Sequence, residues 1–367
     1  MDSEIDVWCD ETLPDIYDYA MFDYEPMHED VWEATANAIE ELTDDDELAG
    51  AMTEAAAVWF RTSHDVIISL IEPVPAPVIT ALCDKPQTQQ HTADWYAQRS
   101  YRLTASEFSQ ILDGRRGALL RQKMTPALTQ MAAPVGIAQE DGEMIATTWG
   151  HRFEPIVRDI FELEIAGRGT VCDTLGRFTH ATIPWLSASP DGLVTKGPLA
   201  GRLLEIKAPK TRQPGEFVPD EYWIQMQIQM EVCNLDAVEF VEAKFSQRSV
   251  SDAPAAAVAK APWKGRIEVR GHFDEPSTWR YVYSAPVEDL ADAVLPASED
   301  PLLESSVWWL TGWYPRTVLR NRHWWDTVGK PNALLFWSEV EALRSQQQQG
   351  PPPTTQAPQW IGSNTLT

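Results

Sequence analysis

The spacing of apolar residues changes along the chain, and these changes divide the chain into regions. From Glu29 to Leu48, and again from Ala51 to Ile71, apolar residues recur at helical spacing, which predicts two acidic helices. Residues 1–27 show little periodicity, so we expect an extended or disordered segment there. With the proline-rich stretch from Ile71 to Pro77, these residues form a predicted N-terminal extension over residues 1–88, partly disordered and containing two helices.

The middle of the chain, residues 89–286, mixes helical and strand-like spacing. Met144 to Ile165 and Tyr222 to Cys233 are predicted helices, and we expect Pro155 to bend or interrupt the first one. Short strands joined by turns are expected at Gly176 to Ala181, Trp185 to Ala188, Leu193 to Thr195, Arg202 to Ala208 and Ala237 to Phe245. We therefore predict the α/β class, with a mixed central sheet and helices on both of its sides.

The remaining segments are less regular. Ser246 to Pro262 is predicted to be a linker, followed by a closing hairpin of Arg266 to Phe273 and Trp279 to Ser284. Residues 287–345 are rich in tryptophan and are expected to be helical, with the tryptophans in the core rather than in a platform for stacking bases. Residues 346–367 begin QQQQGPPPTT and are expected to be disordered.

Composition narrows the class of protein. The hydrophobic content of 44% suits a globular core, and no run approaches twenty apolar residues, so we expect no membrane span. The N-terminus shows no secretory signal pattern. The four cysteines are far apart without a CxxC pair, which argues against a zinc site and a disulfide framework and favours an intracellular setting. No phosphate-binding loop of the GxxxxGK[ST] type is present, so ATP use is not indicated.

The net charge of −26 is concentrated in the N-terminal quarter, since residues 1–90 contain 22 acidic and 2 basic residues. Basic residues cluster further on, at Arg99, Arg102, Arg115, Arg116, Arg121 and Lys123. A local basic face of this kind can bind DNA on an acidic protein, because salt screens charges beyond about 10 Å. The run Asp44 to Glu47 is expected to be a solvated turn, although the acidic extension could also mimic DNA and cover the basic face.

Two short segments carry the strongest chemical signal. Asp191 lies in the turn sequence SASPDG, and Glu205 follows fourteen positions later in LEIK. Neighbouring strands would bring these carboxylates together as a seat for a divalent cation. Lys207 would point the same way as Glu205, because side chains alternate along a strand. Such a site can cut a phosphodiester, which requires a metal, an oriented water and a nearby cation.

Taken alone, each of these residues has a simpler explanation. A Glu-x-Lys pair is often a solvated surface pair, and Glu154 in WGHRFE could be an ordinary helix-surface carboxylate. Arg99 could pair with Asp94 or Asp113. Tyr222, Gln225 and Gln229 share one helical face, although Gln225 and Gln227 could simply belong to polar faces of a packed helix. His151 lies near the proposed site without a second histidine at ligand spacing, so we interpret it as incidental.

Five motifs that follow one another along the chain favour a functional role over these simpler explanations. The series W-x-x-x-R…T-A-S-E, W-G-x-x-x-E, S-x-D-G, E-x-K and Y-x-x-Q-x-Q resembles the lambda exonuclease and YqaJ-like viral recombinase family. This family belongs to the PD-(D/E)XK nuclease superfamily, so the resemblance implies a restriction-endonuclease-like core with helical N- and C-terminal extensions. The resemblance covers roughly Gln90 to Phe245.

The resemblance also implies roles for individual residues. Asp191, Glu205 and the backbone carbonyl of Ile206 would bind the metal, and Glu154 would complete the cation site. Lys207 would orient or deprotonate the attacking water, and Gln225 would steady the site. The terminal 5′-phosphate of DNA would be bound by Arg99, Ser106 and Ser189. The basic residue expected after Lys207 is not cleanly aligned, and either Lys210 or Arg212 could take its place; we include Arg212 with the phosphate-binding residues.

The implied activity is Mg²⁺-dependent digestion of linear duplex DNA from a 5′ end, with Mn²⁺ able to substitute. Implied partners are double-stranded DNA ends, a single-strand annealing protein and further copies of the chain in a ring-shaped trimer. Two alternatives stay open: an endonuclease of restriction or repair type, and a non-catalytic DNA-binding or assembly protein that keeps the fold.

Overall fold

A computed structural model of the chain describes residues 2–23, 29–90, 92–124, 135, 144–215 and 217–349. Its helices are α1 (Asp2–Asp23), α2 (Glu29–Glu40), α3 (Asp46–Ser69), α4 (Ala76–Cys83), α5 (Ala93–Gln98), α6 (Ser109–Leu112), α7 (Arg116–Met124), α8 (Ala146–Phe161), α9 (Asp220–Cys233), α10 (Ala255–Lys260), α11 (Arg322–Trp324) and α12 (Lys330–Gln349). Its strands are β1 (Leu103–Thr104), β2 (Val171–Cys172), β3 (Phe178–Thr179), β4 (Leu186–Ala188), β5 (Gly192–Val194), β6 (Leu203–Lys207), β7 (Ala237–Ser249), β8 (Lys264–Arg270), β9 (Arg280–Tyr283) and β10 (Leu302–Leu319).

Seven strands form the central sheet in the order β2-β5-β6-β7-β10-β8-β9, and β1, β4 and β3 form a smaller sheet. In the central sheet β6 and β7 run parallel, whereas the other neighbours are antiparallel. The two faces are covered by different helices because side chains alternate along each strand. Val238 and Phe240 of β7 share a core with α9 and α12, and Val241 and Ala243 share a core with α8. The predicted mixed α/β fold, with helices on both faces of the sheet, is confirmed, as is the closing hairpin, seen as β8 and β9.

The prediction for residues 1–27 was wrong for the part that the structure describes, since Asp2–Asp23 is a helix. Ile5, Cys9 and Leu13 are buried with Met52 and Phe60 of α3. Their spacing of four residues is one turn of a helix, and tertiary packing stabilises this helix where composition predicted none. Residues 24–28 lie outside the described residues.

The next two helices occur where predicted, but the break between them comes earlier in the chain than expected. α2 ends at Glu40, and α3 begins after Asp45, whose carboxylate accepts hydrogen bonds from the amides of Glu47 and Leu48. Part of the acidic run therefore caps a helix. α8 continues through Pro155 without a break, so the expected interruption was wrong. Ser246 to Pro262 also differs from a plain linker, because β7 extends to Ser249 and α10 follows.

The largest correction concerns residues 287–345, where we expected helices. Leu302–Leu319 is an 18-residue strand, β10, which pairs with both β7 and β8. Pro315 is tolerated in it because β8 pairs with β10 only as far as Trp309, so the proline needs no partner on that side. Helix begins at Arg322 and continues to Gln349, so residues 346–349 are helical, and the remainder of the predicted disordered tail lies outside the described residues.

The tryptophans of this region belong to the core, as predicted, since Trp308, Trp309, Trp324, Trp325 and Trp337 are buried. No helix in the described part of the chain is both long and apolar enough to cross a lipid bilayer.

Candidate active site

Glu205 occupies the centre of the site. It lies on β6 between Leu203 and Lys207, which face the same side of the sheet, towards α9. Its side chain is 1% exposed. A buried carboxylate requires donors for both of its oxygens, and α9 supplies them. Gln225 donates from Nε2 to Oε1 at 2.7 Å, and Gln229 donates from Nε2 to Oε2 at 2.6 Å.

Lys207 places its ammonium beside this carboxylate. Its Nζ donates to Oε1 of Glu205 and lies 3.5 Å from Oε1 of Gln225. The same nitrogen lies 4.8 Å from the centre of the Tyr222 ring, a cation–π contact. Burial disfavours the charged ammonium, but the negative charges of Glu205 and Asp191 outweigh burial and raise the pKa of Lys207. The predicted same-side arrangement of Glu205 and Lys207 is present.

Asp191 enters from the turn before β5. Its amide donates to the carbonyl of Leu204 at 3.1 Å, and its Oδ2 accepts from the amide of Ile206 at 2.8 Å. Burial raises the pKa of Asp191 well above its usual range, and the charges of Glu205 and Glu154 raise it further. Asp191, Glu205 and Glu154 are therefore close enough for their negative charges to repel one another.

Glu154 comes from α8, on the opposite face of the sheet. Its Oε1 accepts from Nη2 of Arg158 at 2.9 Å, and Nη1 of Arg158 contacts Asp173 at 2.7 Å. Burial raises the pKa of Glu154; Arg158 opposes this rise and Glu205 adds to it. Arg158 was not singled out in the sequence, although its spacing of four residues from Glu154 is that of a helical ion pair.

A cavity of about 490 Å³ collects these groups. Glu154, Asp191, Ile206 and Lys207 line it, together with His151 and Tyr222. Glu205 and Gln225 are buried and bond to Lys207. Burial is the main cause of the raised pKa values of Glu154 and Asp191, which both line the cavity, and a cation bound there would favour their charged forms.

The donor set fits Mg²⁺ in its chemistry, since carboxylates and carbonyl oxygens are the ligands this ion prefers. Glu205 also has lone-pair capacity left, because Oε2 accepts one hydrogen bond and can take a second partner. Among the described residues, however, no group of three or more His, Cys, Asp or Glu side chains is arranged as a ready metal site. The carboxylates are held by Lys207, Arg158 and the two glutamines instead.

The proposed phosphate-binding residues form a second group around Trp95. Arg99 lies over the Trp95 ring at 5.5 Å, and Ser189 accepts from the indole Nε1 at 3.2 Å. Ser106 lies 3.4 Å from the hydroxyl of Thr104, and Arg99 pairs with Glu107 at 3.1 Å. Glu107 is thus the partner of Arg99 in the structure, where the sequence offered Asp94 or Asp113 as alternatives.

Arg212 lies elsewhere, at the wall of the cavity that Glu154, Asp191 and Lys207 line. Its guanidinium pairs with Glu242 and lies 5.7 Å from the centre of the Tyr222 ring. Lys210 lines the same cavity and donates to the carbonyl of Met144 at 2.7 Å. Both basic residues after Lys207 therefore line the cavity with Lys207, whereas Arg99 and Ser189 contact Trp95 and Ser106 contacts Thr104.

Three carboxylates and a lysine therefore meet around one cavity: Asp191 from the turn before β5, Glu205 and Lys207 from β6, and Glu154 from α8. Residues 94–236 match the model of the YqaJ-like viral recombinase domain. Over this stretch the chain is similar to that family, and the similarity supports a nuclease role.

Individual proteins are similar to this chain only at a distance. The uncharacterized protein R354 of Acanthamoeba polyphaga mimivirus is 25% identical over 176 residues, which is 44% of this chain and 30% of that protein. The alkaline exonuclease LHK-Exo from Laribacter hongkongensis covers 70% of this chain and 99% of its own, with 19% identity and a TM-score of 0.40. Its complex with dAMP covers the same shares at 19% identity with a TM-score of 0.38.

Proposed function

We propose that this protein is a metal-dependent exonuclease that digests linear duplex DNA from the 5′ end. The observation that carries the proposal is the convergence of Glu154, Asp191 and Lys207 on one cavity, with Glu205 held beside them. In this view hydrolysis proceeds by in-line attack of water on the phosphodiester and leaves a 5′-phosphate on each released nucleotide.

Each side chain has a task in this reaction. Lys207, whose ammonium is stabilised by Glu205 and Asp191, orients the attacking water, and Gln225 and Gln229 hold Glu205 in place. Glu154, Asp191, Glu205 and the carbonyl of Ile206 would hold one or two Mg²⁺ ions, which supply charge neutralisation of the phosphate and a more acidic water. Mn²⁺ should substitute, and Ca²⁺ should bind without turnover because it is larger and less exacting in geometry.

The biological setting follows from the family match and is equally a proposal. A 3′ single strand left by digestion would be a substrate for a single-strand annealing protein in viral-type recombination or end processing. A ring-shaped trimer around DNA would make digestion processive. We place the protein inside the cell, acting without ATP.

The test is digestion of end-labelled linear duplex beside covalently closed circles, with Mg²⁺ and with chelator. We expect digestion of the linear DNA only, and only when metal is present. Glu205→Ala and Lys207→Ala should abolish digestion while folding and DNA binding persist. Cutting of closed circles would favour the endonuclease alternative, and metal binding with no cleavage of any DNA would favour the non-catalytic one. A parental rate in either variant would contradict the site assignment.

The end-binding role of Arg99 has a separate test. Arg99→Ala should weaken the preference for 5′-phosphorylated over 5′-hydroxyl ends, because a guanidinium binds phosphate through two parallel hydrogen bonds. Equal rates on both ends in parent and variant would dismiss the role.

A further inference from the structure

Arg177 is a buried arginine whose hydrogen bonds are incomplete. It lies just before β3 and is 2% exposed. Its Nη1 donates to the carbonyl of Trp95 at 2.7 Å, but Nε and Nη2 have no hydrogen-bond partner in the described part of the chain. Buried donors are rarely left unpaired in proteins, so this guanidinium calls for an acceptor that comes from outside.

The position of Arg177 indicates which acceptor it meets. Its guanidinium carbon lies 4.5 Å from the centre of the Trp95 ring, the ring that Arg99 also contacts and whose Nε1 bonds Ser189. Arg177 therefore joins the group of Arg99, Ser106 and Ser189. Ser106 is exposed and Trp95 half-buried, so the group has an open rim, and Arg177 belongs to its buried part.

The charges of this group do not balance. Glu107 pairs with Arg99 at 3.1 Å and with the buried Lys123 at 2.7 Å, so one carboxylate faces two cations before Arg177 is counted. Burial lowers the pKa of Arg177 to about 10, and the charge of Arg99 contributes to this, yet the group stays protonated at neutral pH. Three cations against one carboxylate leave an excess of about two positive charges, and Arg102, whose charge also acts on Arg177, adds to this excess. A terminal phosphate monoester carries about −1.5 to −2 at pH 7, whereas an internal diester carries −1.

We infer that Arg177 is a second guanidinium for the terminal phosphate of a DNA end, and that it sets the preference for a phosphate monoester. This inference rests on the proposed function, because the ligand is the end of the strand to be digested. Arg99 contacts the ligand from the half-exposed side of the group, and Arg177 supplies Nε and Nη2 from the buried side.

End binding without cleavage tests the inference. The affinity of the full chain for a blunt duplex with 5′-phosphate or 5′-hydroxyl ends is measured in chelator. We expect the parent to prefer the phosphate end at least tenfold and Arg177→Gln to reduce this preference to threefold or less, with unchanged affinity for the hydroxyl end. Arg320→Gln is the matched control, since the Arg320 side chain is also buried and donates to Asn234 and Glu231. The control should keep the parental preference.

The outcomes separate this inference from the proposed function. Equal preference in the parent and Arg177→Gln would overturn the inference, even if digestion were normal. End preference that depends on Arg177 in a protein that cleaves no DNA would support the inference and contradict the nuclease proposal. If Arg177→Gln does not fold, the end preference is measured in Arg177→Lys instead, because an ammonium cannot present two parallel N–H groups. A preference reduced at least threefold supports the inference, and an unchanged one overturns it.

Discussion

Gln229 and Glu205 are joined by a 2.6 Å hydrogen bond from Nε2 to Oε2, and the two residues are 0% and 1% exposed. The sequence placed Gln229 on the same helical face as Gln225 but assigned it no role. Because Glu205 is a buried carboxylate, each donor that fixes it also fixes the geometry of the proposed cation site.

We therefore predict that Gln229→Met lowers the rate of DNA digestion by tenfold to a hundredfold, since a hydrogen bond to a charged group is worth about 1.5–3 kcal/mol. Rates per folded molecule and melting temperatures would be measured together. Gln227→Met is the matched control: Gln227 donates to the carbonyl of Leu319 at 2.9 Å, on another side of α9. The control should lose stability and keep its rate. A parental rate in Gln229→Met would show that Glu205 needs no second amide.

Lys244 fixes the segment that follows the strand β6. Its Nζ donates to the carbonyls of Pro209 at 3.1 Å, Lys210 at 2.8 Å and Arg212 at 2.8 Å, which uses all three donors of the ammonium. The segment of residues 209–212 lines the catalytic cavity. We predict that Lys244→Met raises the KM for DNA severalfold, with a smaller change in kcat, because the wall of the cavity loses its anchor. Lys260→Met, at an exposed lysine on α10, should leave both constants unchanged. An unchanged KM in Lys244→Met would show that the segment holds its shape unaided.

Glu107 should make stability depend on pH. Burial alone would raise its pKa, but the charges of Lys123 and Arg99 outweigh burial and lower the pKa below the ordinary value of 4.5. A carboxyl group with a lower pKa in the folded chain stabilises it above the unfolded pKa, and this stabilisation is lost as pH falls through the folded value. We predict that Glu107→Gln lowers the free energy of unfolding by about 3 kcal/mol at pH 7.

This difference should shrink progressively as the pH falls below the ordinary value of 4.5, where protonation makes the parent resemble the variant. Urea unfolding at several pH values measures it. A gap between parent and variant that stays constant from neutral to acidic pH would contradict the assignment of the ion pair.

Gly265 allows β8 to pass close to a tryptophan. A Cβ at this position would lie 2.7 Å from the Trp308 ring and 2.7 Å from the hydroxyl of Ser284. Since Trp308 is fully buried and cannot move aside, we predict that Gly265→Ala destabilises the protein by about 1–3 kcal/mol. Gly50, in α3, has no atom within 4 Å of such a Cβ, so Gly50→Ala should raise stability by about 0.5–1 kcal/mol. Thermal denaturation compares the two, and a stabilising Gly265→Ala would contradict the packing described.

The sequence predicted the elements whose patterns are local. The strand β6 and the helix α9 both occur close to their expected positions. Asp191, Glu205 and Lys207 were found because the turn and the strand fix their directions. Arg177 gave no signal, because a buried arginine is recognised only by what surrounds it. The long strand β10 was missed because its aromatic residues suit a buried helix as well as a strand.

The strand β10 is also linked by aromatic packing to α8, the helix that carries Glu154. Trp308 meets Phe245 edge-to-face at 5.6 Å, and Phe245 stacks at 4.5 Å on Phe153, the neighbour of Glu154. The stretch that matches the recombinase family ends at residue 236, before Phe245 and Trp308. The packing of the matched stretch therefore depends on residues outside it, because without β10 the Glu154 helix would lose the aromatic rings behind it.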